Sequence, residues 1–134
     1  MENQLHREIL EEHAQSYRLK GFLNNADYSA TYTSSQTGNE CQLSYNIENN
    51  SIDEIFYSIQ GSALSNACAS IMCSEIKGLN LLEVHNLAEK IVNFVEKSEK
   101  FELTGDLVVY ETITRFPERH DCSLLSWKTL LKTF

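Results

Sequence analysis

The feature that most constrains the fold is a change of hydrophobic period at Gly61. Before it, the stretch CQLSYNI places Cys41, Leu43, Tyr45 and Ile47 on one face of an extended chain. YSATYT, from Tyr28, and IDEIFYSIQ, ending at Gln60, are also typical of strands, and the short turn ENNS precedes the latter. After Gly61 the spacing becomes helical. The pattern therefore predicts an antiparallel three-stranded sheet followed by helices.

The predicted helices supply the second layer. SALSNACASIMCSEIKG is rich in small residues and stops at Gly78, and a longer helix follows it. The stripe of that longer helix consists of Leu81, Val84, Ala88, Ile91 and Val95. Helices that must bury an apolar face against one side of a sheet make an α+β sandwich of two layers. We expect one domain over residues 1–134, since there are no repeats and no linker that would divide it.

The N-terminal segment LHREILEEHAQSY is predicted to be an amphipathic helix with Leu5, Ile9, His13 and Tyr17 on its apolar face. This places His6 in solvent and makes His13 a half-buried, hydrogen-bonded histidine. His85 in the longer helix is interpreted in the same way.

Charge and chain ends exclude several classes of function. The net charge of −8 repels a polyanion, so nucleic acid is not expected as a partner. No apolar run approaches the roughly 20 residues that span a bilayer. The first residues have no pattern of a secretory signal, so we expect a cytoplasmic protein with reduced thiols. The four cysteines contain no CxxC pair, and no local motif indicates a hydrolase or thiol enzyme.

The stretch FPERHDCSLLSW, from Phe116 to Trp127, carries the most specific signal. A Phe-Pro pair, an arginine two residues on, and a cysteine that leads into an apolar helix with a tryptophan resemble the last motif of the SufU/IscU/NifU-type iron–sulfur cluster assembly scaffolds. SALSNACASIMCSEIKG, CQLSYNIENNSIDEIFYSIQG and the opening helix with its KGFLNNAD continuation are similar to other segments of that family, in the same order. The long interval between the second and third motifs resembles the SufU branch.

The resemblance implies a site at one end of the molecule, where three cysteines and an aspartate hold zinc or a nascent cluster and receive sulfur from a cysteine desulfurase. In this chain Thr37 stands at the first cysteine, Asn39 at the aspartate and Ser62 at the second cysteine; only Cys122 is retained. Neutral hydroxyl and amide groups are poor ligands for zinc or iron. The chain is therefore identified as a degenerate member of the family, and we expect no stable metal centre in the isolated protein.

Other residues could substitute for the missing ligands or have no role. His120, two residues before Cys122, could turn toward the thiol or have no role, and Asp121 could cap the last helix. Cys41 and Cys68 are interpreted as core residues, and Cys73 as a partly buried cysteine without a role. Cys122 itself lies in the first turn of a predicted helix, where backbone N–H groups favour the thiolate. It is the candidate sulfur acceptor, unless it is inherited without use.

Two functions remain open from sequence. The first is a scaffold-like, non-enzymatic protein of iron–sulfur cluster assembly that docks a cysteine desulfurase and accepts sulfur on Cys122. The second is a pseudo-scaffold without metal, an interaction or regulatory protein that docks a desulfurase or another scaffold.

Overall fold

The computed structural model describes residues 3–134 and contains three strands and five helices. The strands are β1 (Tyr28–Thr33), β2 (Glu40–Glu48) and β3 (Ser51–Gln60). The helices are α1 (Gln4–Ala14), α2 (Ala63–Ile76), α3 (Leu81–Lys97), α4 (Tyr110–Ile113) and α5 (His120–Leu131). Short 3₁₀ turns at Gly105–Val109 and Pro117–Arg119 lead into α4 and α5.

The sheet is antiparallel with β2 at its centre, as predicted. The turn between β2 and β3 consists of Asn49 and Asn50, whose φ angles are 52° and 63°. Asparagine tolerates this left-handed conformation, which a two-residue hairpin requires. At the other end of the sheet, Glu40 of β2 is aligned with Thr33 of β1 and with Gln60 of β3. The chain segments that connect to these three strand ends therefore lie at the same edge of the molecule.

One face of the sheet is covered by helices and the other carries exposed polar side chains. Leu43, Tyr45 and Tyr57 are fully buried beneath α2 and α5, whereas Ser29 and Ser58 are exposed on the opposite face. Because the helices pack onto one side of the sheet, the architecture is the predicted α+β sandwich of two layers.

The helix α3 has the predicted stripe. Val84, Ala88, Ile91 and Val95 are buried, and a reciprocal capping box between Asn80 and Glu83 fixes its start. None of the helices among residues 3–134 is long and apolar enough to cross a membrane.

The prediction for the N-terminal helix is wrong in its details. The helix ends at Ala14, and Leu5 and Tyr17 are 59% and 76% exposed. His6 faces inward instead of solvent, because its Nδ1 atom lies 2.7 Å from Thr112 Oγ1, a partner 106 positions away. His13 is half-buried as predicted, with contacts to Ser70 Oγ at 2.8 Å and Asp106 Oδ2 at 2.7 Å.

The prediction that Cys73 is only partly buried is also wrong. α2 is covered by the sheet, α1 and α5, so nine of its fourteen residues are buried. Cys73 has no exposed surface, and burial raises the pKa of its thiol well above the ordinary value. Cys41 and Cys68 are core residues, as predicted.

Candidate functional site

The topology assembles a group of side chains at the edge where β1 ends and β2 begins. The loop that joins them, residues 34–39, extends beyond the sheet. β3 ends beside it, and Ser62 begins α2 there. The N-terminus of α5 contacts the same loop through Asp121 and Cys122. Segments far apart in sequence therefore meet at one place, as the family resemblance implied.

The start of α5 is formed by the Phe-Pro motif. Pro117 opens a short 3₁₀ turn, where its missing N–H and its fixed φ angle are favourable, and α5 continues directly from it. The Arg119 guanidinium lies 4.3 Å from the centroid of the Phe116 ring. This arrangement makes Cys122 the third residue of the helix.

Cys122 is the partly exposed cysteine of the chain, whereas the three others are buried. The Nδ2 group of Asn39 donates to its sulfur over 3.5 Å. The amide nitrogen thus presents a hydrogen-bond donor to the sulfur, at the position where the resemblance implied an acidic ligand.

Thr37 and Ser62 lie at the same edge but are engaged in other bonds. Thr37 Oγ1 donates to Asp121 Oδ2 at 3.0 Å. The Ser62 hydroxyl is the N-cap of α2 and accepts the N–H of Ser65 at 3.1 Å. A Cβ atom at Gly61, the residue before Ser62, would come within 3.1 Å of Asn39 Cγ, which shows how closely the end of β3 approaches the loop.

Two expectations about the neighbours of Cys122 are corrected by these contacts. Asp121 does not cap α5, because both of its carboxylate oxygens are bound by hydroxyls of the 34–39 loop. His120 does not turn toward Cys122; its Nε2 atom lies 2.9 Å from the carbonyl oxygen of Thr114. The backbone before the helix therefore holds the His120 imidazole away from the position of a substitute ligand.

The three other cysteines are enclosed in the core, unlike Cys122, and burial raises the pKa of each of their thiols. Burial raises the pKa of Cys68 to about 12, which the neighbouring Tyr110 hydroxyl only partly offsets. Burial likewise raises the pKa of Cys41 to about 11, against the opposing effect of Thr129. At neutral pH both are neutral thiols in the core, which neither bind metal nor attack an electrophile.

The donor set at this edge does not fit zinc or an iron–sulfur cluster. Within residues 3–134, no three histidine, cysteine, aspartate or glutamate side chains are grouped so that they could hold a metal ion. Of the family positions, Cys122 alone offers a thiol, Asn39 presents N–H groups to it, and the Thr37 and Ser62 hydroxyls are already bonded. A structural zinc site needs four good ligands.

Sequence reasoning missed the contacts that join distant segments. Ser34 donates to both carboxylate oxygens of Asp121, which is 87 positions away. A serine, a histidine and an aspartate, Ser70, His13 and Asp106, also lie in hydrogen-bond contact. That group is structural, because Ser70 is only 3% exposed and no substrate can reach its hydroxyl. No local pattern in the sequence marks either set.

The sheet has helices on one face. The β1–β2 loop, the start of α2 and a cysteine at the start of α5 meet at one edge of it, which is the arrangement that the resemblance to iron–sulfur cluster assembly scaffolds implied. The chain belongs to the family of the NifU-like N terminal domain, whose model matches residues 5–132.

Particular relatives agree with this assignment. The chain is 26% identical over 131 residues to the zinc-dependent sulfurtransferase SufU of Bacillus subtilis (strain 168), covering 96% of this chain and 88% of that protein. It is 25% identical over 128 residues to the iron–sulfur cluster assembly scaffold protein IscU of Thermotoga maritima, covering 94% and 89%. The crystal structure of a putative SUF-system scaffold from Fervidobacterium islandicum AW-1 has the same fold, with a TM-score of 0.80, 23% identity and coverage of 94% and 93%.

Proposed function

We propose that this protein handles sulfur in iron–sulfur cluster assembly, as a scaffold-like member of the family that accepts sulfur on Cys122 from a cysteine desulfurase and does not hold zinc or a cluster on its own. The observation that carries the proposal is the pairing of one accessible thiol with one amide donor, Cys122 with Asn39 at 3.5 Å. In this role the chain is a stoichiometric acceptor and not an enzyme.

The transfer step balances without an oxidant or a metal. The Cys122 thiolate attacks the terminal sulfur of a persulfide carried by the donor protein. A new S–S bond forms at Cys122, the S–S bond of the donor breaks, and the donor cysteine leaves as a thiolate. The proton of the terminal sulfur stays with it, so Cys122 becomes a persulfide. The hydrogen-bond donor at the Cys122 sulfur favours the thiolate, which is the form that attacks.

Sulfur loading is the direct test. The protein is incubated with a cysteine desulfurase and L-cysteine, then analysed by intact-mass and peptide mass spectrometry. We expect the mass of one added sulfur atom on the peptide that contains Cys122. The adduct should disappear in Cys122→Ser and persist in the matched control Cys73→Ala, which removes a buried thiol. Sulfur on any other cysteine, or none at all, contradicts the proposal.

Metal content tests the second half of the proposal. Protein purified without oxygen should contain zinc, iron and sulfide far below one equivalent per chain. The matched variant restores the family ligands at all three positions, Thr37→Cys, Asn39→Asp and Ser62→Cys, and should gain about one equivalent of zinc through four ligands. Stoichiometric metal in the unmodified protein, lost in Cys122→Ser, would refute the absence of an autonomous metal site.

The second candidate is a pseudo-scaffold that docks a desulfurase or another scaffold and regulates it. The engagement of Thr37 and Ser62 in bonds within the chain favours it, since these groups are not available to a ligand. If this candidate is correct, the protein should bind the desulfurase and reduce the transfer of sulfur to a second scaffold. Both effects should be unchanged in Cys122→Ser. Sulfur loading of Cys122 would instead favour the first proposal.

A further inference from the structure

The carboxylate of Asp121 is the point at which α5 is joined to the loop of residues 34–39. Ser34 Oγ lies 2.9 Å from its Oδ1 atom and 2.8 Å from its Oδ2 atom. Thr37 Oγ1 donates to Oδ2 over 3.0 Å. Two hydroxyls from one loop thus converge on one side chain of the helix, immediately before Cys122.

The loop itself is held in one shape by the same residues. The Ser34 hydroxyl, which is 2% exposed, accepts the N–H groups of Gln36 and Thr37 at 3.1 and 3.3 Å. The backbone of Ser34 bonds with Asn39 and Gly38, and the N–H of Asn39 is bonded by Thr37 Oγ1 at 3.2 Å. Gly38 adopts a φ angle of +77°, which favours glycine. Because the loop is fixed internally, its placement on α5 determines where the Asn39 amide lies.

We propose that Asp121 is a positioning residue that fixes this loop on α5 and thereby holds the Asn39 amide against the Cys122 sulfur. The inference rests on the proposed role of Cys122 as a sulfur acceptor. In this arrangement, hydrogen bonds between Asp121 and the loop join the loop to the helix, as shared ligation of a metal would.

The alternative is that Asp121 acts on Cys122 only through its charge. A carboxylate near a thiol disfavours the thiolate, so a pure charge effect slows the reaction of Cys122. Positioning has the opposite sign, because loss of Asp121 releases the Asn39 donor from the sulfur. The two effects are therefore separated by the direction in which substitution changes the reactivity of Cys122.

The test measures the rate of alkylation of Cys122 in the native protein, with no desulfurase present. Asn39→Leu and Asp121→Ala should each slow labelling by roughly threefold to tenfold, the effect of one lost donor to the anion. Asp121→Asn, whose amide can still bond both hydroxyls, should restore most of the rate. Thr37→Val, which removes one exposed hydroxyl, should give a smaller loss in the same direction.

A double-mutant cycle identifies the route of the effect. If Asp121 acts through Asn39, the variant with both Asn39→Leu and Asp121→Ala should label as slowly as either single variant. Additive losses, no change in Asp121→Ala, or faster labelling in both Asp121→Ala and Asp121→Asn would overturn the proposal. Protection of the buried thiols reports whether each variant is folded. Because labelling needs no partner, failure of sulfur loading alone would count against the proposed function and not against this inference.

Discussion

The four cysteines should differ in reactivity by orders of magnitude, and the difference follows from burial. Cys41, Cys68 and Cys73 have no exposed surface, while Cys122 is partly exposed at the start of α5. Alkylating reagents attack the thiolate and must reach the sulfur. We therefore expect Cys122 to be labelled first in the native protein.

The size of the effect can be worked out from the pKa values of the buried thiols. With a pKa of about 11, Cys41 carries about one thiolate in 10⁴ at pH 7. With a pKa of about 12, Cys68 carries about one in 10⁵. A cysteine with the reference pKa of about 8.5 carries roughly three in 100. Ionisation alone therefore slows the two buried thiols about 300-fold and 3,000-fold against such a cysteine, before any loss of access is counted.

The assay is competitive alkylation at neutral pH with isotope-coded reagents, followed by peptide mapping over a time course. A single fast phase at Cys122 should be separated from slow phases that depend on opening of the core. Cys122→Ser should remove the fast phase and leave the slow ones unchanged. Protein unfolded in guanidinium is the control, in which all four cysteines should label at similar rates.

Labelling of Cys41 or Cys73 before Cys122 would refute the reasoning, because it would place the accessible thiol elsewhere. Cys122 would then be inherited without use, and the pseudo-scaffold function would become the better proposal.

Two predictions concern stability. Tyr110→Phe should lower the free energy of unfolding, measured by urea titration, by about 2–4 kcal/mol, because the hydroxyl donates to the Ser123 carbonyl at 2.6 Å and accepts the N–H of Trp127 at 2.8 Å, and both buried partners lose their bond. The exposed control Tyr17→Phe should change this free energy by no more than about 0.5 kcal/mol. Equal losses in the two variants would contradict the hydrogen-bond network around Tyr110. Burial, and then Asp106, raise the pKa of Glu75 above its ordinary value of 4.5, so its contribution to stability is fully present below pH 4.5 and is lost as the pH rises through the folded-state pKa. The melting temperature of Glu75→Gln should therefore exceed that of the unmodified protein at pH values above the folded-state pKa and not below pH 4.5. A difference in melting temperature between the two proteins that does not change with pH would contradict this.

The layers of the fold were predictable because each is set by a local period. Alternation from Cys41 to Ile47 and the stripe of α3 express which side chains must leave water, and the structure buries Leu43, Tyr45 and Val84 accordingly. The turn at Asn49 was predictable for a similar reason, since residues that tolerate a positive φ mark tight turns. Hydrophobic periodicity thus sufficed for the sheet and for the longest helix.

The orientation of α1 could not be predicted in the same way. Leu5 and Ile9 indicate an apolar stripe, but the helix is held by polar contacts of His6 and His13 with residues far along the chain. A histidine carries no local signal for a hydroxyl partner 106 positions away. Where a helix is short and weakly apolar, tertiary hydrogen bonds decide which of its faces is buried.

The contacts within the site could not be predicted from local patterns either, and the chemistry of the site depends on them. The family motifs indicated which positions meet, but the direction of each hydrogen bond appears only in the structure. An acidic residue at position 39 would present lone pairs to a cation, whereas the Asn39 amide presents N–H groups to the Cys122 sulfur. Thr37 donates its hydrogen to Asp121 and is not free to ligate. Under the proposed function, this exchange of an acceptor for a donor suits an electron-rich sulfur at the edge and not a metal cation. If Cys122 accepts sulfur as proposed, its presence is compatible with neutral residues at positions 37, 39 and 62, since a thiolate or persulfide needs hydrogen-bond donors around it and no metal.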